Sequence, residues 1–318
     1  MAISTERIEF TGSGGEALAA RLERPLGPPA AYALFAHCFT CSKDVFAAAR
    51  ISTALAERGI AVLRFDFTGL GSSGGDFANT NFSSNVDDLV LAAEYLAAEY
   101  APVKILIGHS LGGVAVLAAA ERIPAATAVA TLNAPSDPEH VRHLLAAAVP
   151  AIETEGEAEV TIAGRCFRIR RQFLEDIAAQ PMQARIGALR KALLVMHAPR
   201  DEVVALENAG RIFDAAKHPK SFVALDGADH LLSRRADAEY VADVLAAWAS
   251  RYLGDGAGTA PALRAAPGEV LVAETGEGRY ANAIAVGSHV LHADEPVKNG
   301  GNDTGPDPYG LLMASLGS

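Results

Sequence analysis

The sequence predicts an α/β fold built on a mostly parallel sheet. Short apolar runs alternate with longer helical runs through the middle of the chain. Polar residues of the kinds that do chemistry cluster just past the ends of the apolar runs, where a parallel sheet presents its ligand-facing loops. Half of the 318 residues are hydrophobic, enough to cover both faces of such a sheet.

Taken in order, Ala31 to Ala36 reads as the first central strand, and His37-Cys38-Phe39-Thr40-Cys41 as the loop after it. A strand ending in Arg64-Phe65-Asp66 runs into Gly69-Leu70-Gly71-Ser72-Ser73-Gly74-Gly75, with a helix starting near Asn85. No Lys-Ser/Thr pair follows these glycines, so a phosphate loop is excluded, and Asp66 is read as holding the loop. Val103 to Ile107 is a buried strand, and the alanine-rich run from Val114 to Ala120 a helix. Ala128 to Leu132 is the sixth strand. Residues 134–189 then break the alternation with a helix at Glu139 to Ala148, an acidic loop at Glu153 to Glu159, a hairpin and a second helix at Gln172 to Ala179. An insertion of this kind is read as a small lid, with Phe39, Phe167 and Phe173 as candidate apolar walls of a fairly open site. Alternation resumes with the strand Ala192 to His197, a helix at Leu206 to Ala216, the strand Ser221 to Leu225 and a helix at Ala236 to Leu253.

Between strand and helix stands Gly108-His109-Ser110-Leu111-Gly112-Gly113. Gly-x-Ser-x-Gly in that context is a nucleophile elbow, a turn so tight that the serine projects and side chains at the flanking glycines would strike neighbouring backbone. A serine hydroxyl needs a base, and the base a carboxylate to orient it. Asp201 lies past the strand ending at His197, and His230 past the strand ending at Leu225, so Ser110, Asp201 and His230 are the candidate catalytic set. Glu202, Asp226, Asp229, His197 and His218 are weaker rivals: Asp226 and Asp229 read as turn formers beside His230, and His197 and His218 sit poorly for a base. The amides of Leu111 and Phe39 are the candidate oxyanion donors, with His37, Cys38 and His109 lining that loop and pocket.

These motifs, from the His37-Cys38-Phe39 loop through the elbow to the Asp201 and His230 loops, make residues 1–253 resemble an α/β-hydrolase. The resemblance implies a mostly parallel eight-stranded sheet with helices on both faces and a lid at 134–189. It also implies a serine hydrolase that cleaves a carboxylic ester or related acyl bond of a small-molecule substrate. The wording His-Cys-Phe-Thr-Cys-Ser-Lys-Asp at 37–44 resembles a bacterial subgroup in which a hydrolase is fused to an OsmC/Ohr-like domain.

The tail fits that resemblance. Residues 254–267 are a small-residue linker, and 268–318 hold two alternating runs reading as a hairpin, a third short strand and the first turns of an apolar helix. This resembles the opening of an OsmC/Ohr domain, cut short near Ser318. The family reduces organic hydroperoxides with paired cysteines, yet no cysteine follows Cys166, so no peroxidase chemistry is assigned here. A redox or hydroperoxide-defence protein whose peroxidase half is incomplete is the rival reading. The tail is expected to pack on the hydrolase, to swap with a partner chain in a homodimer, or to stay poorly ordered.

Composition bounds the rest. A net charge of −11 argues against nucleic acid as partner. No apolar run reaches the about 18 residues of a membrane span. The first residues lack the layout of a signal peptide, and three cysteines suggest a cytoplasmic chain without structural disulfides. A lone Cys38-x-x-Cys41 is a redox pair or two small pocket residues. With no second such pair, neither metal nor cofactor is expected.

Overall fold

The structure, a computed structural model, describes residues 3–38, 40–162, 164–253, 265–266, 268–275, 278–287 and 289–317. An antiparallel pair opens it, β1 (Ile3–Thr11) and β2 (Ala17–Pro25), in register from Ile3 opposite Pro25 to Thr11 opposite Ala17. The alternating elements follow: β3 (Ala31–Ala36), α1 (Phe46–Glu57), β4 (Ile60–Phe65), α2 (Phe82–Glu99), β5 (Val103–His109), α3 (Leu111–Ala119) and β6 (Ala128–Leu132).

The insertion comes next. It holds α4 (Val141–Leu144), α5 (Val149–Glu155), the hairpin β7 (Glu157–Ile162) with β8 (Arg165–Arg170), α6 (Arg171–Ala178) and α7 (Met182–Gly187). Alternation closes with β9 (Ala192–His197), α8 (Glu207–Ala215), β10 (Lys220–Ala224) and α9 (Arg235–Ser250).

One eight-stranded sheet has the order β1-β2-β4-β3-β5-β6-β9-β10. β1 and β2 are its antiparallel edge, and from β4 to β10 neighbouring strands are parallel. The central strands are apolar on both sides because helices cover both faces. α1 and α9 bury Ile51, Leu55, Val241 and Leu245 on one face. α2 and α3 bury Phe82, Leu89 and Val114 on the other.

Two expectations for the insertion are corrected. The acidic loop expected over Glu153 to Glu159 is instead the end of the helix Val149–Glu155, where Val149 and Ile152, three apart, share a buried face, and the start of β7 at Glu157. The helix expected over Glu139 to Ala148 is reduced to a 3-10 turn at Pro138–His140 and the single turn α4, started by the Asp137 side chain accepting the Glu139 amide at 2.8 Å. Phe167 and Phe173 are also not pocket walls. Both are buried in the main core, and the Phe167 ring packs edge-on against Phe77 at 5.2 Å.

Most of the 254–267 linker, and the 276–277 turn of the tail hairpin, lie outside the described residues. The tail strands β11 (Val270–Glu274), β12 (Asn282–Val286) and β13 (His289–Ala293) form an antiparallel three-stranded sheet. After it α10 (Pro308–Gly317) leaves Tyr309, Leu312, Met313 and Leu316 exposed. No helix among the described residues is long and apolar enough to cross a membrane.

Candidate active site

β5 ends inside the sheet, and the chain must reverse at once to start α3. Ser110 makes the turn with φ 54° and ψ −125°, a left-handed conformation rare outside glycine, and its amide is tied to the Leu132 carbonyl at 2.9 Å. A Cβ at Gly108 would overlap the Gly112 carbonyl, and one at Gly112 the Ala36 carbonyl of β3. The glycines are therefore steric requirements of the elbow. Leu111 is the first residue of α3, so its amide has no carbonyl four residues back within the helix.

Asp201 reaches the same edge from the loop after β9. Its Oδ1 accepts the amides of Val203 at 2.8 Å and Val204 at 2.9 Å, and its Oδ2 lies 2.7 Å from His230 Nδ1. Burial opposes the charge, but the His230 hydrogen bond and the two amides outweigh it and hold the carboxyl below the usual carboxylate range. His230 comes from the loop after β10, and its Nε2 lies 3.1 Å from Ser110 Oγ. A carboxylate only accepts, so Nδ1 carries the proton of the neutral ring and Nε2 faces the hydroxyl as an acceptor. An alcohol, an imidazole and an ionised carboxylate thus stand in line, able to take the hydroxyl proton as the oxygen attacks.

The rivals are elsewhere. Glu202 and Asp226 are exposed. Asp229 accepts the Ser233 amide at 2.9 Å, a local turn. His197 is buried at the end of β9, donates from Nε2 to the Val204 carbonyl at 2.8 Å and lies 4.0 Å from Asp201 Oδ2. His109 is buried beneath the site and donates from Nε2 to the His230 carbonyl at 2.7 Å. Burial, reinforced by the neighbouring His230 ring, pushes its pKa down to about 4. His37 donates from Nδ1 to the Cys38 carbonyl at 2.8 Å and packs edge-on to Phe67 at 5.0 Å.

The loop after β3 departs from expectation in one respect. Cys38 and Cys41, read either as a redox pair or as two small pocket residues in a chain without structural disulfides, are joined by a disulfide, because the tight loop turns the two side chains toward each other. Cys38 is buried against a small cavity that Leu111 and Gly112 also line. Phe39, the second candidate oxyanion donor, lies outside the described residues. Asp66 anchors the far end of the loop. It accepts the Lys43 amide at 2.5 Å and the Lys43 ammonium at 2.7 Å, and the Ser72 amide at 2.8 Å.

Sequence reasoning missed Asn133. It follows β6, is buried at φ 48°, and bridges the other two loops. Its Oδ1 accepts the Ala198 amide at 2.8 Å, and its Nδ2 donates to the carbonyls of His230 at 3.0 Å and Asp229 at 3.2 Å. The available signal was an asparagine placed directly after an apolar strand at the edge that carries Ser110.

A cleft of about 450 Å³ opens between the insertion and α8, lined among others by His140, Arg142, His143, Asn208 and Arg211. His140 Nε2 donates to the Val203 carbonyl at 3.1 Å, so the cleft adjoins the Asp201 loop. No metal-binding cluster of His, Cys, Asp and Glu occurs among the described residues.

Residues 33–299 match the model of a family described as "Alpha/beta hydrolase family". Among solved structures, the esterase domain of a Rhodothermus marinus protein is 53% identical. The match covers 80% of this chain and 100% of that one, with a TM-score of 0.66. Est1E from Butyrivibrio proteoclasticus, with ferulic acid bound, is 21% identical over 78% of this chain and 100% of its own, with a TM-score of 0.63. XC6422 from Xanthomonas campestris, described as a serine hydrolase without a lid, is 18% identical over 77% of this chain and 95% of its own, with a TM-score of 0.55. These last two share the fold. No curated protein matches the sequence.

Proposed function

This chain belongs to the alpha/beta hydrolase family, and from that premise we propose that it is a serine esterase acting on small acyl esters. The observation that carries the reading is the hydrogen-bonded line from Asp201 to His230 at 2.7 Å and from His230 to Ser110 at 3.1 Å. Ser110 Oγ attacks the ester carbonyl carbon while His230 Nε2 takes the hydroxyl proton. Asp201 fixes the imidazole tautomer and stabilises the imidazolium. The developing oxyanion is met by the Leu111 amide, with the residue 39 amide as second donor, a contribution of about 3 kcal/mol per donor in the transition state. The tetrahedral intermediate collapses, the alcohol leaves with the proton from His230, and an acyl ester of Ser110 remains. Water, deprotonated by His230, repeats the sequence and releases the acid.

A small-molecule ester is the substrate class of this reading, in keeping with the family and the esterase domain the chain matches. The same reading has the chain working in the cytoplasm, with a tail that is the opening of an OsmC/Ohr-like domain and pairs two copies of the chain. No cysteine follows Cys166, so no peroxidase step is assigned to it.

The test is steady-state and pre-steady-state hydrolysis of p-nitrophenyl esters of graded acyl length. The reading expects saturable turnover with a preferred length, and a nitrophenol burst where deacylation is slow. A folded protein that turns over none of the series overturns it.

A further inference from the structure

We propose that Cys38 and Cys41 form a redox-active site whose disulfide positions the oxyanion loop, so that thiol–disulfide exchange with a dithiol reductant sets the rate of ester hydrolysis. The proposal rests on the esterase reading above.

The crosslink closes only the span from 38 to 41. A disulfide stabilises a fold in proportion to the logarithm of the loop it ties, so one this short contributes least to global stability. Its effect is local, and its place is informative. The ring it closes contains the residue 39 amide, and Cys38 lines the same cavity as Leu111 and Gly112 in the first turn of α3. Thr40, inside the ring, is held at φ 59°, a conformation a β-branched residue adopts only under constraint. The Thr40 carbonyl accepts Arg165 Nη1 of β8 at 3.0 Å, so the insertion is anchored on the crosslinked loop as well. Opening the bond frees Thr40 to relax and loosens both the loop packed beside the first turn of α3 and that anchor.

Cys41 is half-buried and Cys38 is buried, so Cys41 Sγ is the sulfur open to attack. A thiolate of the external dithiol displaces the Cys38 thiolate, giving a mixed disulfide on Cys41. The reductant's second thiolate then attacks its own sulfur and expels Cys41. Two electrons and two protons pass to the protein, leaving Cys38 and Cys41 as thiols and the reductant as a cyclic disulfide.

The experiment measures kcat and KM for one p-nitrophenyl ester before and after dithiothreitol, with alkylation and intact-mass thiol counts at each stage. The proposal expects kcat to fall about tenfold or more on reduction, in line with a weakened oxyanion donor, while KM stays within about twofold. Reoxidation restores kcat. A Cys38→Ser/Cys41→Ser double variant is expected to sit at the reduced rate and ignore dithiothreitol, and Cys166→Ala to respond like the wild type. Equal kcat in both forms, with the thiol count showing the pair opened, overturns the switch and leaves the esterase standing. So does a mass showing both thiols free in protein never exposed to reductant. No turnover in either form overturns the esterase reading and the switch with it.

Discussion

Asn133 holds His230 by its backbone. The Asn133 side-chain nitrogen lies 3.0 Å from the His230 carbonyl, while its oxygen accepts the Ala198 amide at 2.8 Å. One buried amide thus ties the loop bearing the candidate base to the one bearing its carboxylate partner. Asn133→Ala leaves the buried Ala198 amide without its partner and takes one donor from each carbonyl, His230 keeping His109 Nε2 and Asp229 keeping the Leu232 amide. Denaturant unfolding is expected to show a loss of about 2 kcal/mol. Ester assays are expected to show kcat lowered at least about tenfold, with KM less affected, because the imidazole loses its support.

Asp201→Asn keeps the shape of the acid but reverses one hydrogen bond. The amide nitrogen donates to His230 Nδ1, so the ring proton moves to Nε2 and faces Ser110, where it cannot accept. A fall in kcat of about four orders of magnitude with the fold intact is the expected outcome, read by ester hydrolysis beside circular dichroism.

His109 gives a pH signature. Burial depresses its folded-state pKa to about 4, against 6.5 for the exposed ring. Between those values the unfolded chain binds a proton that the folded chain refuses, so stability falls as pH drops through that window. The loss is on the order of 2 kcal/mol by pH 5. His109→Gln keeps a donor toward the His230 carbonyl and does not titrate. Its unfolding free energy is expected to fall less than the wild type's between pH 7 and pH 5, and parallel losses would contradict the assignment.

Lys43 and Asp66 are a buried ion pair, with side chains 6% and 1% exposed. Asp66→Ala leaves the ammonium only the exposed Asp44 carboxylate at 3.7 Å and releases the Lys43 and Ser72 amides, so thermal and denaturant unfolding should show about 3 kcal/mol of destabilisation. Lys43→Met in the Asp66→Ala background is expected to recover part of it.

The parallel strands were legible because burial on both faces leaves near-continuous apolar runs, and Ala31–Ala36, Ala128–Leu132 and Ala192–His197 begin and end where the sequence places them. The edge pair escaped notice because β1 keeps only Ile8 and Phe10 buried among exposed polar residues. Side-chain bridges between distant loops leave no local pattern either. Nothing around Asn133 in the chain announces that residues 198 and 230 will come to it. The 149–155 helix was obscured by its glutamates, which mark solvent exposure as readily as a loop.

The central claim is that the hydroxyl of residue 110 is the activated nucleophile, and the most direct measurement is labelling by a fluorophosphonate probe read by intact mass and peptide mapping. The account predicts a single adduct on the Ser110 peptide, lost together with ester turnover in a folded Ser110→Ala protein. Labelling or turnover that persists in that variant would contradict it.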